Sequence, residues 1–325
     1  LNGKTILVTG GTGTFGHAFV RHVLANYKPR RLIVFSRDEY KQWQMRDEFG
    51  DGHKGNPMRY FLGDVRDVER LHMALRVVDI VIHAAALKHV PSGESNPMEV
   101  VKTNVLGAQN VVSAAIDCKV EKVIALSTDK AVNPVNLYGM TKGCAEKLFV
   151  SANALSGEGG TQFSVVRYGN VINSRGSVIE VFRKQARDGG DITITHPEMT
   201  RFFMRAEDSV ALVLYALEHM KGGEVYVPKI PSVRIIKLAD AISGQSLSHL
   251  ISGIRPGEKL HESLISPDDA RNTVDLGPHY AILPESEWYE RDPGLRYAPR
   301  WFIYTSDSNP RFMTDAEIQE MVRLC

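Results

Sequence analysis

The chain has 325 residues, 43% hydrophobic and 24% charged, a length for two domains or one elaborated α/β unit and the composition of an ordinary folded protein. Its 39 Lys and Arg against 38 Asp and Glu leave no bulk field to draw nucleic acid or anionic lipid. The three cysteines, Cys118, Cys144 and Cys325, are too few and too scattered for a disulfide framework or a zinc knuckle, so no metal is expected and a reducing cytoplasm is the expected compartment.

The first half alternates short apolar runs with amphipathic stretches, the pattern of βαβ units around a parallel sheet. Strands are predicted at 5–8, 32–35, 60–62, 80–82, 123–126 and 164–166, and helices at 15–25, 39–49, 68–75, 97–116 and 137–155. Continuous rather than alternating apolar runs imply burial on both sheet faces. The most apolar stretch, 77–87, is broken by Asp79 and His83 and is too short to span a bilayer, so no membrane association is expected. The N-terminus shows no signal-peptide pattern, and Leu1 points to a native start that is missing or altered. After Tyr168 the texture becomes loop-rich, with a helix predicted at 206–219. The predicted fold is therefore α/β: a Rossmann-like, doubly wound parallel sheet over 1–169 with a returning segment at about 200–228, and a smaller C-terminal substrate-binding part made of 170–199 and 229–325. Doubly wound sheets bind ligands at the carboxyl ends of their strands.

Directly after the first strand stands Thr9-Gly10-Gly11-Thr12-Gly13-Thr14-Phe15-Gly16. Glycine is needed where the backbone turns sharply, where it nears a pyrophosphate and where helix meets strand, and the helix N-terminus offers free N–H groups to the anion. Gly10, Gly13 and Gly16 thus mark a dinucleotide site rather than a plain tight turn. The second strand is followed by Ser36 and Arg37, with Lys41 in the next helix, where an NAD site usually carries an acidic residue. A hydroxyl and two cations suit a 2′-phosphate, so NADP is expected, while Asp38 keeps NAD as the less favoured cofactor. Asp64 is placed to accept from an adenine amino group, and Ala84, Ala85 and Ala86 give small side chains where the cofactor must pass. Tyr138 and Lys142 are four apart and share a helix face, so the ammonium is expected to lower the phenol's pKa and make it a usable base.

With these residues on the page, the chain resembles the extended short-chain dehydrogenase/reductases. Phe35-Ser36-Arg37-Asp38-Glu39, Ala85-Ala86-Leu87-Lys88-His89-Val90-Pro91, Ser127-Thr128-Asp129-Lys130-Ala131, Tyr168-Gly169-Asn170-Val171, Ser174-Arg175-Gly176-Ser177 and Arg255-Pro256-Gly257-Glu258-Lys259 narrow the resemblance to the inverting UDP-N-acetylglucosamine 4,6-dehydratases. That family serves pseudaminic acid, capsule and O-antigen routes. The resemblance adds Thr12, Thr14, Phe15, Val65, Asn104, Leu126 and Ser127 to the cofactor set, and Lys88, Asn170, Val171, Arg175, Thr195, Arg255 and Glu258 to the substrate set for UDP-N-acetylglucosamine.

The resemblance implies a hydro-lyase that turns its substrate into UDP-2-acetamido-2,6-dideoxy-β-L-arabino-hexos-4-ulose. Tyr138, with Thr128 and Lys142 beside it, takes the C4 hydroxyl proton while hydride leaves C4; Lys130 is then the base at C5 and Asp129 the acid at C6. Retaining relatives carry an Asp-Glu pair at this point, which makes Lys130 the discriminating residue. A nucleotide-sugar 4-epimerase and a non-catalytic NADP-binding module are the alternatives; the first has no use for Asp129 and Lys130, the second none for Tyr138 and Lys142. A homo-oligomer, dimer or higher, is expected through the helix at 97–116 beside that at 137–155.

Overall fold

Nine strands form the central sheet of the computed structural model, which describes residues 1–53, 55–174, 176–244 and 248–324. Across the sheet they run Thr273–Asp275, His279–Ile282, Val225–Pro228, Gln162–Tyr168, Lys122–Thr128, Ile80–His83, Thr5–Thr9, Arg31–Ser36 and Met58–Leu62. From Val225–Pro228 to Met58–Leu62 every neighbouring pair is parallel. The remaining two strands pair antiparallel and extend one edge. All six strands read from the sequence lie in this sheet, each longer than its apolar run. The strand order reverses at Thr5–Thr9, which pairs with Arg31–Ser36 on one side and Ile80–His83 on the other, so a crevice opens at the carboxyl ends of these three.

Successive residues of each strand point to opposite faces. Leu7, Ile33, Val81 and Val123 join Leu71, Val111, Phe149 and Phe163 in one core. Ile6, Val8, Val34, Ile82 and Ile124 join Phe19, Val20, Val210 and Val213 in another. Helices Val68–Leu75, Gly107–Asp117 and Leu137–Ser156 supply the first layer, Thr14–Asn26 and Ala206–His219 the second. Phe19, Phe149 and Phe163 are fully buried, and each such side chain stabilises the fold by about 1.5–3 kcal/mol relative to exposure.

The single helix expected at 97–116 is instead three pieces: Pro97–Val101, a π-helical turn Lys102–Leu106, and Gly107–Asp117. The wide turn carries Asn104 to the loop after the fourth strand, where its Oδ1 accepts from the Leu87 N–H at 2.8 Å and its Nδ2 donates to the Leu87 carbonyl at 3.0 Å.

A third core of Phe182, Ile192, Met199, Phe203, Val233, Leu238, Ile318 and Met321 lies outside the main sheet. It is built from helices Val178–Arg187, Ile235–Ser243 and Asp315–Arg323 and from a small sheet of Ser232–Arg234, Thr200–Met204 and Asn170–Val171. The last helix, absent from the sequence reading, starts with a reciprocal cap: Thr314 Oγ1 accepts from the Glu317 N–H at 3.3 Å and Glu317 Oε2 from the Thr314 N–H at 2.8 Å. Residues 229–325, assigned on sequence to the substrate part, also supply the two antiparallel strands that extend one edge of the main sheet. Cys118 and Cys144 are unbridged thiols; Cys325 lies outside the described residues. Among the described residues no helix is long and apolar enough to cross a membrane.

Candidate active site

The strand ends, the glycine loop and the small outer layer line one cavity of about 980 Å³. Gly10 sits at φ +63, and a Cβ there would come within 2.8 Å of Ala85 backbone atoms, so the loop and the Ala84–Ala86 segment approach as closely as backbone allows. A Cβ on Gly16 would lie 1.9 Å from the Gly11 carbonyl. Gly16 therefore does not face the cavity; it lets the helix press against the turn. Gly13 begins helix Thr14–Asn26 with no side-chain cap, which leaves the first N–H groups aimed at the cavity for an anion.

Thr12, Ser36, Arg37 and Lys41 line the adjoining end, with Thr12 Oγ1 3.0 Å from Ser36 Oγ. Both cations already face carboxylates: Arg37 lies 3.6 Å from Asp64, and Lys41 2.5 Å from Asp38. Asp64, expected to receive an adenine amino group, lines the cavity and holds Arg66 through bonds of 3.0 and 2.8 Å. Burial alone would raise its pKa, but the hydrogen bonds and charge of Arg66, with Arg37, hold it below the usual carboxylate range. Asn104, also expected at the cofactor, does not line the cavity; its amide is taken up by Leu87 and by Thr141 at 3.1 Å, so it braces the loop that does. Thr14, Phe15, Val65, Leu126 and Ser127 stand on the wall as expected. The Ser127 and Thr103 hydroxyls are buried on the same wall without a protein partner, and Thr103 went unread in the sequence. Together with the glycine cradle, these unpaired groups fit a dinucleotide.

At the end of strand Lys122–Thr128 a 3₁₀ turn, Asp129–Ala131, begins with Thr128 as its N-cap. It places Asp129 behind the cavity wall, fully buried, and Lys130 on the wall. Asp129 Oδ1 accepts from Thr128 Oγ1 at 2.9 Å and from Lys130 Nζ at 3.0 Å, while Oδ2 is buried without a partner. Lys130 Nζ also reaches Glu262 Oε1 at 3.3 Å and Asn170 Oδ1 at 3.4 Å, residues from beyond the cleft. Burial opposes the charge on Lys130, but Asp129 and Glu262 outweigh it and keep the amine an ammonium. Burial pushes the Asp129 carboxyl up despite the pull of Lys130.

Tyr138 and Lys142 open helix Leu137–Ser156, capped by Asn136, and both line the cavity. Their expected coupling is not what the geometry provides. Lys142 Nζ donates to the Leu126 carbonyl at 2.6 Å, and burial lowers its pKa to about 8. The Tyr138 phenol is raised to about 12 by burial, and the groups that ease its ionisation are Lys130 and Thr128. Lys142 is turned to the Leu126 carbonyl at the strand end, and Lys130 is the cation whose charge acts on the phenol.

On the other wall stand Lys88, Asn170, Val171, Thr195, Arg255 and Glu258, as read from the sequence; Arg175 lies outside the described residues. Arg255 is exposed there, and its N–H donates to Glu258 Oε2 at 3.2 Å. Glu262, Arg201 and Tyr168 also line the cavity and were assigned no role in the sequence. Glu262 follows the Arg255-Pro256-Gly257-Glu258-Lys259 motif by three positions, a signal that an acidic residue so near a phosphate-type motif could have raised.

Residues 6–284 match the polysaccharide biosynthesis protein family. The inverting UDP-N-acetylglucosamine 4,6-dehydratase of Campylobacter jejuni serotype O:23/36 is 50% identical over 99% of this chain and 98% of its own length. A UDP-glucose 4-epimerase of Rickettsia akari is 47% identical over 86% of this chain and 82% of its own. The crystal structure of Pen from Bacillus thuringiensis superposes with a TM-score of 0.90 at 36% identity, covering 99% and 98% of the two chains. The dTDP-glucose 4,6-dehydratase DesIV of Streptomyces venezuelae, solved with NAD, shares the fold at a TM-score of 0.72 and 23% identity over 87% and 93%. The chain belongs to the polysaccharide biosynthesis family of extended short-chain dehydrogenase/reductases, in the group of the inverting UDP-N-acetylglucosamine 4,6-dehydratases.

Proposed function

We propose that the protein removes water across C5 and C6 of UDP-N-acetylglucosamine with inversion at C5. The observation that carries this reading is the Asp129–Lys130 pair: Lys130 stands with Tyr138 on the wall of the dinucleotide cavity, and the buried Asp129 is bonded to it from behind that wall. A bound nicotinamide dinucleotide supplies the hydride acceptor for C4 and donor for C6. Gly10, Gly13 and the N–H groups at Thr14 would hold its pyrophosphate, and Ser127 and Thr103 its polar groups. Tyr138 takes the C4 hydroxyl proton, which makes H5 acidic beside the new ketone. Lys130, once its ammonium has given a proton to solvent, takes H5, and the electron pair passes to the enolate; after water has left, a proton from solvent enters C5 from the opposite face. Asp129, whose burial favours the protonated form, is the source of the proton for the C6 hydroxyl, passed to the cavity by way of the lining Thr128 hydroxyl 2.9 Å from its Oδ1, and the hydroxyl departs as water. Arg255, Lys88 and Glu258 suit the UDP moiety.

The name of the Rickettsia akari relative favours a second reading, a UDP-sugar 4-epimerase. Such an enzyme would use Tyr138 and leave Asp129 idle. Incubation with UDP-N-acetylglucosamine should give a product lighter by one water in mass spectrometry; an isomer of unchanged mass would establish the epimerase instead.

The finer cofactor reading is NADP, supported by Ser36, Arg37 and Lys41 on the wall next to the loop. Cofactor released from denatured protein should be mainly the 2′-phosphorylated form, identified by chromatography. NAD alone would show that Asp38 and Asp64 neutralise the two cations too fully for them to hold a phosphate. A cytoplasmic homo-oligomer without nucleic-acid or membrane partners completes the proposal, supported by the near-zero net charge and by exposed Met98, Leu106 and Met140 on helices 97–117 and 137–156.

A further inference from the structure

Two carboxylates face one ammonium in this site, and they come from opposite walls. Asp129 belongs to the turn after strand Lys122–Thr128; Glu262 precedes strand Ser263–Ile265 of the outer layer. Glu262 is held firmly, its N–H donating to Ser306 Oγ at 3.0 Å and its carbonyl accepting from the Ser306 N–H at 2.8 Å. Its side chain is almost fully buried, with Oε1 3.3 Å from Lys130 Nζ and 3.9 Å from Arg201 Nε, and Oε2 3.4 Å from Lys259 Nζ. Asp129 has Lys130 as its one nearby cation among the described residues. We propose, on the strength of the dehydratase reading, that Glu262 is a positioning residue of the dehydration step: its carboxylate is the ionic partner of Lys130, which leaves the Asp129 carboxyl free to keep the proton that the departing C6 hydroxyl takes.

The charges around the pair are uneven. Lys130, Arg201 and Lys259 surround Glu262 and overcome its burial, holding it below the usual carboxylate range. Glu258 stands 3.8 Å from Arg201, Tyr138 faces Lys130 and Asp129, and Lys88 feels Lys130 from across the cavity. Asp129 is instead pushed up, by burial first and by Glu262 in addition. Two carboxyls whose surroundings drive them apart divide acid and ion between them. The protons balance once the Lys130 ammonium has given one to solvent: H5 leaves as a proton to the neutral amine, and the C6–O bond breaks as the Asp129 proton goes to the leaving oxygen. The proton now on Lys130 can pass to Asp129 across their 3.0 Å bond, and solvent supplies the proton that closes C5, Glu262 staying ionised throughout.

Glu262→Gln keeps the shape and removes the charge. Asp129 becomes the sole counter-ion of Lys130 and loses its proton more readily. An opposite charge at this range moves a group by roughly one to three pH units. At neutral pH, in deuterated water, the variant should therefore exchange H5 while losing water poorly. The ratio of C5 deuteration, read by NMR, to water loss, read by mass spectrometry, should rise about tenfold or more, and water loss should recover as the pH is lowered. Glu262→Asp, which keeps the charge, should stay near the wild-type ratio. C4 oxidation, followed as reduced nicotinamide in the near ultraviolet, controls for folding. A wild-type ratio in Glu262→Gln overturns the role of Glu262, as does loss of C4 oxidation in both variants, which would make Glu262 merely structural. Absence of water loss in the wild-type enzyme would instead overturn the dehydratase reading itself.

Discussion

Lys130→Ala should abolish water loss while C4 oxidation persists, because the substitution removes the group proposed as the base at C5 and leaves Tyr138 in place on the wall. Loss of a positioned base costs about 10²- to 10⁴-fold, and here no second amine stands within reach of Asp129 among the described residues. The variant should accumulate reduced nicotinamide in the near ultraviolet and incorporate no deuterium at C5. The wild-type enzyme should place deuterium at C5 and give the L-configured 4-keto-6-deoxy sugar, since removal of H5 by Lys130 and reprotonation from the other face invert the centre. The pH dependence has a defined sign. Asp129 and Glu262 hold Lys130 as an ammonium in the resting protein, so the neutral amine grows as pH rises, and exchange at C5 should climb with it. NMR of fresh product showing retained C5 configuration would rule out the inverting mechanism, and an active Lys130→Ala enzyme would remove Lys130 from it.

Tyr138→Phe should suppress C4 oxidation by about 10²- to 10⁴-fold, because it removes the phenol proposed to take the hydroxyl proton. Burial raises the phenol to about 12, with Lys130 and Thr128 easing its ionisation. Phenolate is therefore scarce at neutral pH, and the single-turnover oxidation rate of the wild type should rise with pH as the phenol titrates. The Phe variant should lose both the rate and that rising limb. A variant that oxidised C4 at near wild-type speed would exclude Tyr138 as the base; Tyr168, whose phenol is raised by burial and by Tyr138 itself, would then be the group to replace.

What the sequence made legible was local. Six buried strands announced themselves as apolar runs, because both faces of a parallel sheet are covered and no alternation is needed. The glycine loop, Tyr138 with Lys142, and Asp129 with Lys130 were readable because each is a short pattern tied to one strand end. What escaped was what distant segments do to one another. Nothing near Lys130 in the chain announces Glu262, which arrives through the pairing of Ser263–Ile265 with Tyr304–Thr305. Lys142 was given Tyr138 as its partner by helical spacing, but its Nζ is taken by the Leu126 carbonyl; Asp64 stands on the cavity wall and also holds Arg66, a pairing the sequence did not announce. Asn104 was placed at the cofactor, but the π turn swings it to Leu87, a change of helical pitch that apolar periodicity does not encode.

The main sheet draws its outer strand pair from residues 273–282, after the chain has left to build most of the outer layer. During synthesis, the strand Val225–Pro228 thus emerges with one side paired to Gln162–Tyr168 and the other side open until His279–Ile282 follows. An open strand edge invites pairing with other nascent chains. The dinucleotide loop and its neighbouring strands are complete long before that point, so early capture of the cofactor would steady the half-made sheet on the ribosome. Glu262 emerges ahead of the closing strand and Ser306, which fixes its backbone, after it, so Lys130 acquires this counter-ion only near the end of chain growth. The newborn polypeptide can then hold its redox partner well before it can dehydrate a sugar.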